Sequence, residues 1–104
     1  MLYYIIGVIM ILGLDVSTSK IGYSIMDNDK KLVECDVMKL KPLPLEDRAE
    51  IFYLFMITLK NRFEIKEIYI EQPFSMFGGG KTTAMTMAKL QRFNGMCCFA
   101  VKRV

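Results

Sequence analysis

Residues 10–27 read MILGLDVSTSKIGYSIMD, and the fold follows from how this stretch is divided. From Ile11 the chain is apolar until it closes on Asp15 and Val16, the pattern of a central strand covered on both faces. STSK, residues 17–20, is a turn. IGYSIMD then alternates apolar and polar positions, as a second strand does when one face is buried. It runs into DNDKK, where Asn28 and Asp29 suit a tight hairpin. The stretch therefore predicts two antiparallel strands, the first of them ending in a carboxylate.

Upstream, MLYYIIGVIMILGL carries no charge over fourteen residues. That is short of a bilayer span and lacks a basic leader, so no membrane partner is expected. Met10 is a natural start for the first strand, and residues 1–9 read as an extension of the domain or a lengthening of that strand. Downstream, KLVECDVMKL is a third strand, polar enough for a sheet edge, and KPLPLED breaks the pattern with two prolines. Over residues 47–63 the period becomes helical: Phe52, Phe55, Met56, Leu59 and Phe63 form one stripe. KEIYIE is a second buried strand, ending at Glu71. QPFSMFGGG is loop, and residues 81–99 form a second amphipathic helix with Thr82 or Thr83 as cap and Gly95 near its end. AVKRV, residues 100–104, reads as the opening of a further strand. The order β-β-β-α-β-α-β predicts a mixed α/β sheet. Three antiparallel strands come first, and a helical crossover makes the later strands parallel to the first. Residues 10–104 form one domain.

A chain of 104 residues supports a single core, and its net charge of +3 permits a polyanionic partner without requiring one. With no histidine in the sequence, ordinary zinc sites and Ser-His-Asp or Cys-His catalysis are excluded. Cys35, Cys97 and Cys98 have no CxxC spacing and read as core thiols of a cytoplasmic protein. The remaining chemistry is that of carboxylates with a metal ion. FGGGKTTAMT, residues 77–86, has the look of a nucleotide cradle, but a Walker A loop needs glycine where this chain has Ser75. Its glycines instead suit a loop that opens a helix, whose free N–H groups attract phosphate.

Asp15 and Glu71 both end apolar strands. If the first and fourth strands are parallel neighbours, the two carboxylates face one crevice. There they repel unless a cation lies between them, and hard oxygen ligands favour Mg²⁺ or Mn²⁺.

ILGLDVSTSKIGYSIMD resembles the opening motif of RuvC-type Holliday junction resolvases, of the ribonuclease H-like superfamily: an apolar strand ending in Asp15, a turn, then Gly22-Tyr23. IYIEQPF resembles the second motif of that family through Glu71, Gln72 and Phe74, and KLQRFNGM resembles the helix that follows it. The resemblance implies a partial ribonuclease H-like nuclease domain over residues 10–104, its mixed sheet incomplete at the C-terminus, and a metal-dependent endonuclease acting as a homodimer on four-way or branched DNA. Asp15 and Glu71 would be its metal-binding and catalytic residues. It also implies a role for Phe74 against unstacked bases. Lys20, Lys81, Lys89 and Arg92 are candidate phosphate contacts, with the glycine loop carrying Phe74 and Lys81 toward the DNA backbone. The family turn has Pro-Gly where this chain has Val16-Ser17, and the family site is completed by an acidic pair on a later helix, whereas no acid follows Glu71 here. Weak or absent cleavage by this chain alone is therefore expected. Two other readings remain: a binding or assembly module of the same fold without catalysis, and an actin-like or sugar-kinase ATPase half-domain.

Overall fold

A computed structural model describes residues 9–71, 73 and 83–104. In chain order the elements are β1 (Met10–Val16), β2 (Lys20–Met26), β3 (Leu32–Lys39), α1 (Leu45–Arg62), β4 (Ile65–Ile70) and α2 (Ala84–Arg103). The four strands form one sheet in the order β3-β2-β1-β4. β1 is antiparallel to β2, with Asp15 opposite Gly22, and parallel to β4, with Leu14 opposite Ile70. β3 lies at the edge, as its polarity predicts.

Local chemistry accounts for the connections. Between β1 and β2, Ser17 bonds Lys20 through both its backbone and its hydroxyl, closing a turn around Thr18 and Ser19. Between β2 and β3, the Asp27 carboxylate accepts from the N–H groups of Asp29 and Lys31, and Lys30 takes a left-handed φ of 63°. This is a three-residue hairpin loop closed by a left-handed residue. The register shift between Ile25 and Met26 adjoins it. α1 begins after Pro44, which fixes the entry dihedral but offers no capping side chain. Glu46 and Asp47 near its start and Lys60 and Arg62 near its end complement the helix dipole. Thr83 caps α2 by accepting from the Thr86 N–H.

Both helices contribute to one core. Leu12, Ile21, Ile25, Phe52, Met56, Leu59, Phe93 and Cys97 are fully enclosed, each large apolar side chain contributing about 1.5–3 kcal/mol of burial free energy. Phe55 and Phe63 complete the α1 stripe from partly buried positions.

Four expectations change. AVKRV continues α2, because Cys97, Ala100, Val101 and Val104 prolong its packed stripe. Gly95 consequently lies within the helix. Among the described residues, β1 is covered by packed side chains on the Leu12, Leu14 and Val16 face only; Gly13 and Asp15 occupy the opposite, open face. β4 is likewise half-exposed, with Lys66, Glu67 and Tyr69 reaching solvent. Cys35, in edge strand β3, is exposed, whereas Cys97 is buried and Cys98 partly so. The expectations for residues 1–8, Gln72, Phe74, Lys81, Thr82 and the glycines at 78–80 lie outside the described residues.

Candidate functional site

Asp15 is the penultimate residue of β1 and is exposed. Glu71 follows β4 directly, and its N–H donates to the Leu14 carbonyl at 3.1 Å. The parallel register that pairs Gly13 with Tyr69 and Leu14 with Ile70, carried one residue further, sets Glu71 beside Asp15. Neighbouring strands run about 4.8 Å apart. Side-chain alternation directs both carboxylates to the open face, because Leu14 and Ile70 pack into the core. Two acids separated by more than fifty positions in sequence thus meet at the C-terminal ends of parallel neighbours, where open α/β sheets place their ligands.

Beside Asp15 the open face is hollow. A cavity of about 330 Å³ is lined by Gly13, Asp15, Gly22, Ser24, Cys35 and Val37 among others. A Cβ on Gly22 would touch the Asp15 Cβ at 3.9 Å, ordinary contact. Internal packing therefore tolerates alanine there, while a longer side chain would occupy the space next to the carboxylate. A Cβ on Gly13 would approach the Ser24 hydroxyl to 3.1 Å, so that serine would have to give way. Lys20 opens β2, pairs with Lys39 of β3 and is exposed, as Lys39 is. By alternation from Gly22 and Val37 both lysines lie on the open face, one step beyond Asp15. Lys39 was legible as a basic residue but not as a partner of Lys20, because only the hairpin register brings them together.

Two contacts hold this end of the sheet. Arg48 of α1 donates to the Thr18 carbonyl at 2.6 Å, tying down the turn after Asp15. Asn94 of α2 donates from Nδ2 to the Glu71 carbonyl at 3.1 Å. On the core side, the Tyr23 hydroxyl donates to Glu34 at 2.7 Å, and Arg62 engages both oxygens of the same carboxylate. The Tyr23 ring meets Phe55 edge-on at 5.0 Å. The Glu34 bond, followed by burial, pushes the Tyr23 pKa up to about 12; Arg62 and then Tyr23 hold the Glu34 carboxyl below its ordinary value. Tyr23, although part of the Gly-Tyr motif, serves the core side of the sheet.

Lys89 and Arg92 are exposed on α2. They lie away from the stripe of Phe93, Asn94 and Cys97 that packs inward. Along the same helix Met85 is exposed, while Met87 and Phe93 are buried. Among the described residues no group of three or more His, Cys, Asp or Glu side chains converges as a metal site. Asp15 and Glu71 supply a pair of hard oxygen donors. That suits Mg²⁺ or Mn²⁺, ions commonly held by one or two carboxylates with water and phosphate oxygens completing the shell. No helix among the described residues is long and apolar enough to cross a membrane.

No protein-family model matches the chain, and no curated protein matches it in sequence. Among solved structures it is similar to T. thermophilus RuvC in complex with Holliday junction substrate, with a TM-score of 0.65 and 16% identity over 91% of this chain and 56% of that one. A Bacteroides thetaiotaomicron protein with an actin-like ATPase fold and unknown function aligns with a TM-score of 0.43 and 16% identity, over 81% of this chain and 29% of that one. The chain thus spans a little over half of the RuvC structure. Its four-stranded mixed sheet and two helices have the ribonuclease H-like arrangement.

Proposed function

We propose that residues 10–104 form part of a nuclease domain of the RuvC type, acting on branched DNA with Mg²⁺ or Mn²⁺. The observation that carries this reading is the pairing of Asp15 and Glu71 at the ends of adjacent parallel strands. The similarity to a junction-bound RuvC supports it through the fold.

In this reading Lys20 and Lys39 draw a phosphate backbone onto the open face, and the hollow beside Gly22 lets it approach Asp15. Asp15 and Glu71 would hold the cation. When bound, such an ion supplies a polarised water and neutralises charge on a phosphodiester undergoing in-line hydrolysis. Arg48 and Asn94 keep the two carboxylate-bearing backbones in place. Phe74 would stack on unpaired bases, and Lys81, Lys89 and Arg92 would contribute outlying phosphate contacts. Homodimerisation is part of the same proposal, since symmetric cleavage of two strands calls for two sites.

The test uses the purified chain with a four-way junction and a duplex of equal length. The expected result is preferential junction binding that weakens steeply with salt, is strengthened by Mn²⁺, and loses the Mn²⁺ response in Asp15→Asn. Equal affinity for both DNAs with no Mn²⁺ response would sink the proposal. Cleavage by this chain alone is expected to be weak or absent; robust Mg²⁺-dependent cutting abolished by D15N would overturn that expectation. The alternative, a binding module without catalysis, is favoured by the two-ligand character of the described site. It predicts junction binding that Asp15→Asn leaves unchanged. The ATPase half-domain finds less support: Ser17, where phosphate hairpins of that superfamily carry glycine, spends its hydroxyl on the Lys20 backbone.

A further inference from the structure

Asn94 is the one buried polar residue of the described core, 6% exposed, between Phe93 and the packed Cys97 of α2. Asparagine is a modest helix former, and burying its amide is costly unless both ends are bonded. Both ends are bonded here. Nδ2 donates to the Glu71 carbonyl at 3.1 Å, and Oδ1 accepts from the Cys98 thiol at 3.5 Å. The thiol bond is weak and lies within the helix, so it orients the amide. The Nδ2 bond spans twenty-three positions and leaves the helix.

Its target is the residue where β4 ends. Glu71 is past the last strand residue, and its N–H is held by Leu14 of β1. With the carbonyl held by α2 as well, the Glu71 backbone is fastened on both sides of its Cα. The direction of its side chain toward Asp15 then follows from two hydrogen bonds of different origin. An apolar residue in the same helical stripe would fill the space equally well and leave that carbonyl without this bond.

We infer that Asn94 is a positioning residue for Glu71, fixing its backbone so that its carboxylate joins Asp15 around a divalent cation. This inference rests on the metal-pair reading above. Partners that orient a metal ligand without touching the ion typically set affinity by 10- to 100-fold; acting through backbone, Asn94 belongs at the lower end.

The experiment measures Mn²⁺ affinity by titration calorimetry, well below each variant's melting temperature. It compares the wild type with D15N, Asn94→Leu and Cys97→Ala. N94L keeps the volume and removes the donor. C97A loosens the same stretch of α2 without touching Glu71. The expected result is a Kd raised about 10-fold in N94L and unchanged in C97A. A Kd for N94L within twofold of the wild type overturns the inference, as does an equal rise in N94L and C97A. A wild type indifferent to Mn²⁺, or matched by D15N, instead refutes the metal-pair reading itself. If N94L does not fold, Mg²⁺ is titrated into the wild type and the side-chain amide resonances of Asn94 are followed by NMR. They should shift together with Glu71, and immobile Asn94 resonances alongside a responding Glu71 overturn the inference.

Discussion

Replacing Tyr23 with phenylalanine removes one oxygen atom and leaves the ring against Phe55. In the native chain that oxygen donates to Glu34 at 2.7 Å. Ionising the phenol would break this bond and place a second negative charge beside the carboxylate. Its pKa in the folded chain is accordingly pushed from the ordinary 10.0 up to about 12. Two units correspond to at most about 2.7 kcal/mol. Both groups stand at the margin of the domain, where water screens their interaction, so about 1–1.5 kcal/mol is expected. The raised pKa fixes the direction of the pH dependence. The bond contributes fully below pH 10, where the phenol is neutral whether folded or unfolded, and its contribution is lost as pH climbs through 12. Urea unfolding of the wild type and Y23F at pH 7, 9, 11 and 12 should therefore show a gap of about 1–1.5 kcal/mol at the lower values that closes at the upper ones. At pH 7 the melting temperature should fall by about 5–10 °C. A gap under about 0.3 kcal/mol at pH 7, or one that persists undiminished at pH 12, would refute this account of the Tyr23–Glu34–Arg62 group.

Three further outcomes are expected. Lys30→Gly relieves a left-handed residue at the β2–β3 hairpin and should stabilise the domain by about 0.5 kcal/mol after glycine's own entropy cost, read by chemical denaturation. Cys97, whose thiol burial and then the neighbouring Cys98 push up to about 12, should resist iodoacetamide at pH 8.5 until the chain unfolds, while exposed Cys35 is alkylated first; mass spectrometry of timed samples gives the order, and early Cys97 labelling contradicts it. Gly22→Ala should leave stability within about 0.5 kcal/mol of native, whereas Gly22→Leu fills the hollow beside Asp15 and should weaken junction binding at least tenfold with the fold preserved by circular dichroism.

The two carboxylate-bearing strands were legible because an acid closing an apolar run is a local signal, and the helical stripe of Phe52, Met56 and Leu59 was legible for the same reason. The parallel pairing of β1 with β4 followed from crossover geometry. What escaped was decided by neighbours distant in sequence. Cys35 reads as a core thiol by type, yet an edge strand turns it to solvent. AVKRV has strand-like valines, but its spacing extends the stripe begun at Phe93, and packing overrides propensity. Asn94 carries no signal in its own vicinity, since the carbonyl it serves belongs to a strand twenty-three residues earlier. The Lys20–Lys39 pair needed the hairpin register, which shifts by one residue between Ile25 and Met26.

β1 is hydrogen-bonded on both flanks, whereas β4 has a single strand neighbour among the described residues. Asp15 therefore stands on a strand held from both sides, and Glu71 just beyond one held by β1 and by the Asn94 bond from α2. The two halves of the crevice are unequal in support. A cation gripped between them would add most reinforcement to the less supported half. Its imprint on the protein would be slower amide exchange along β4, with β1 barely altered.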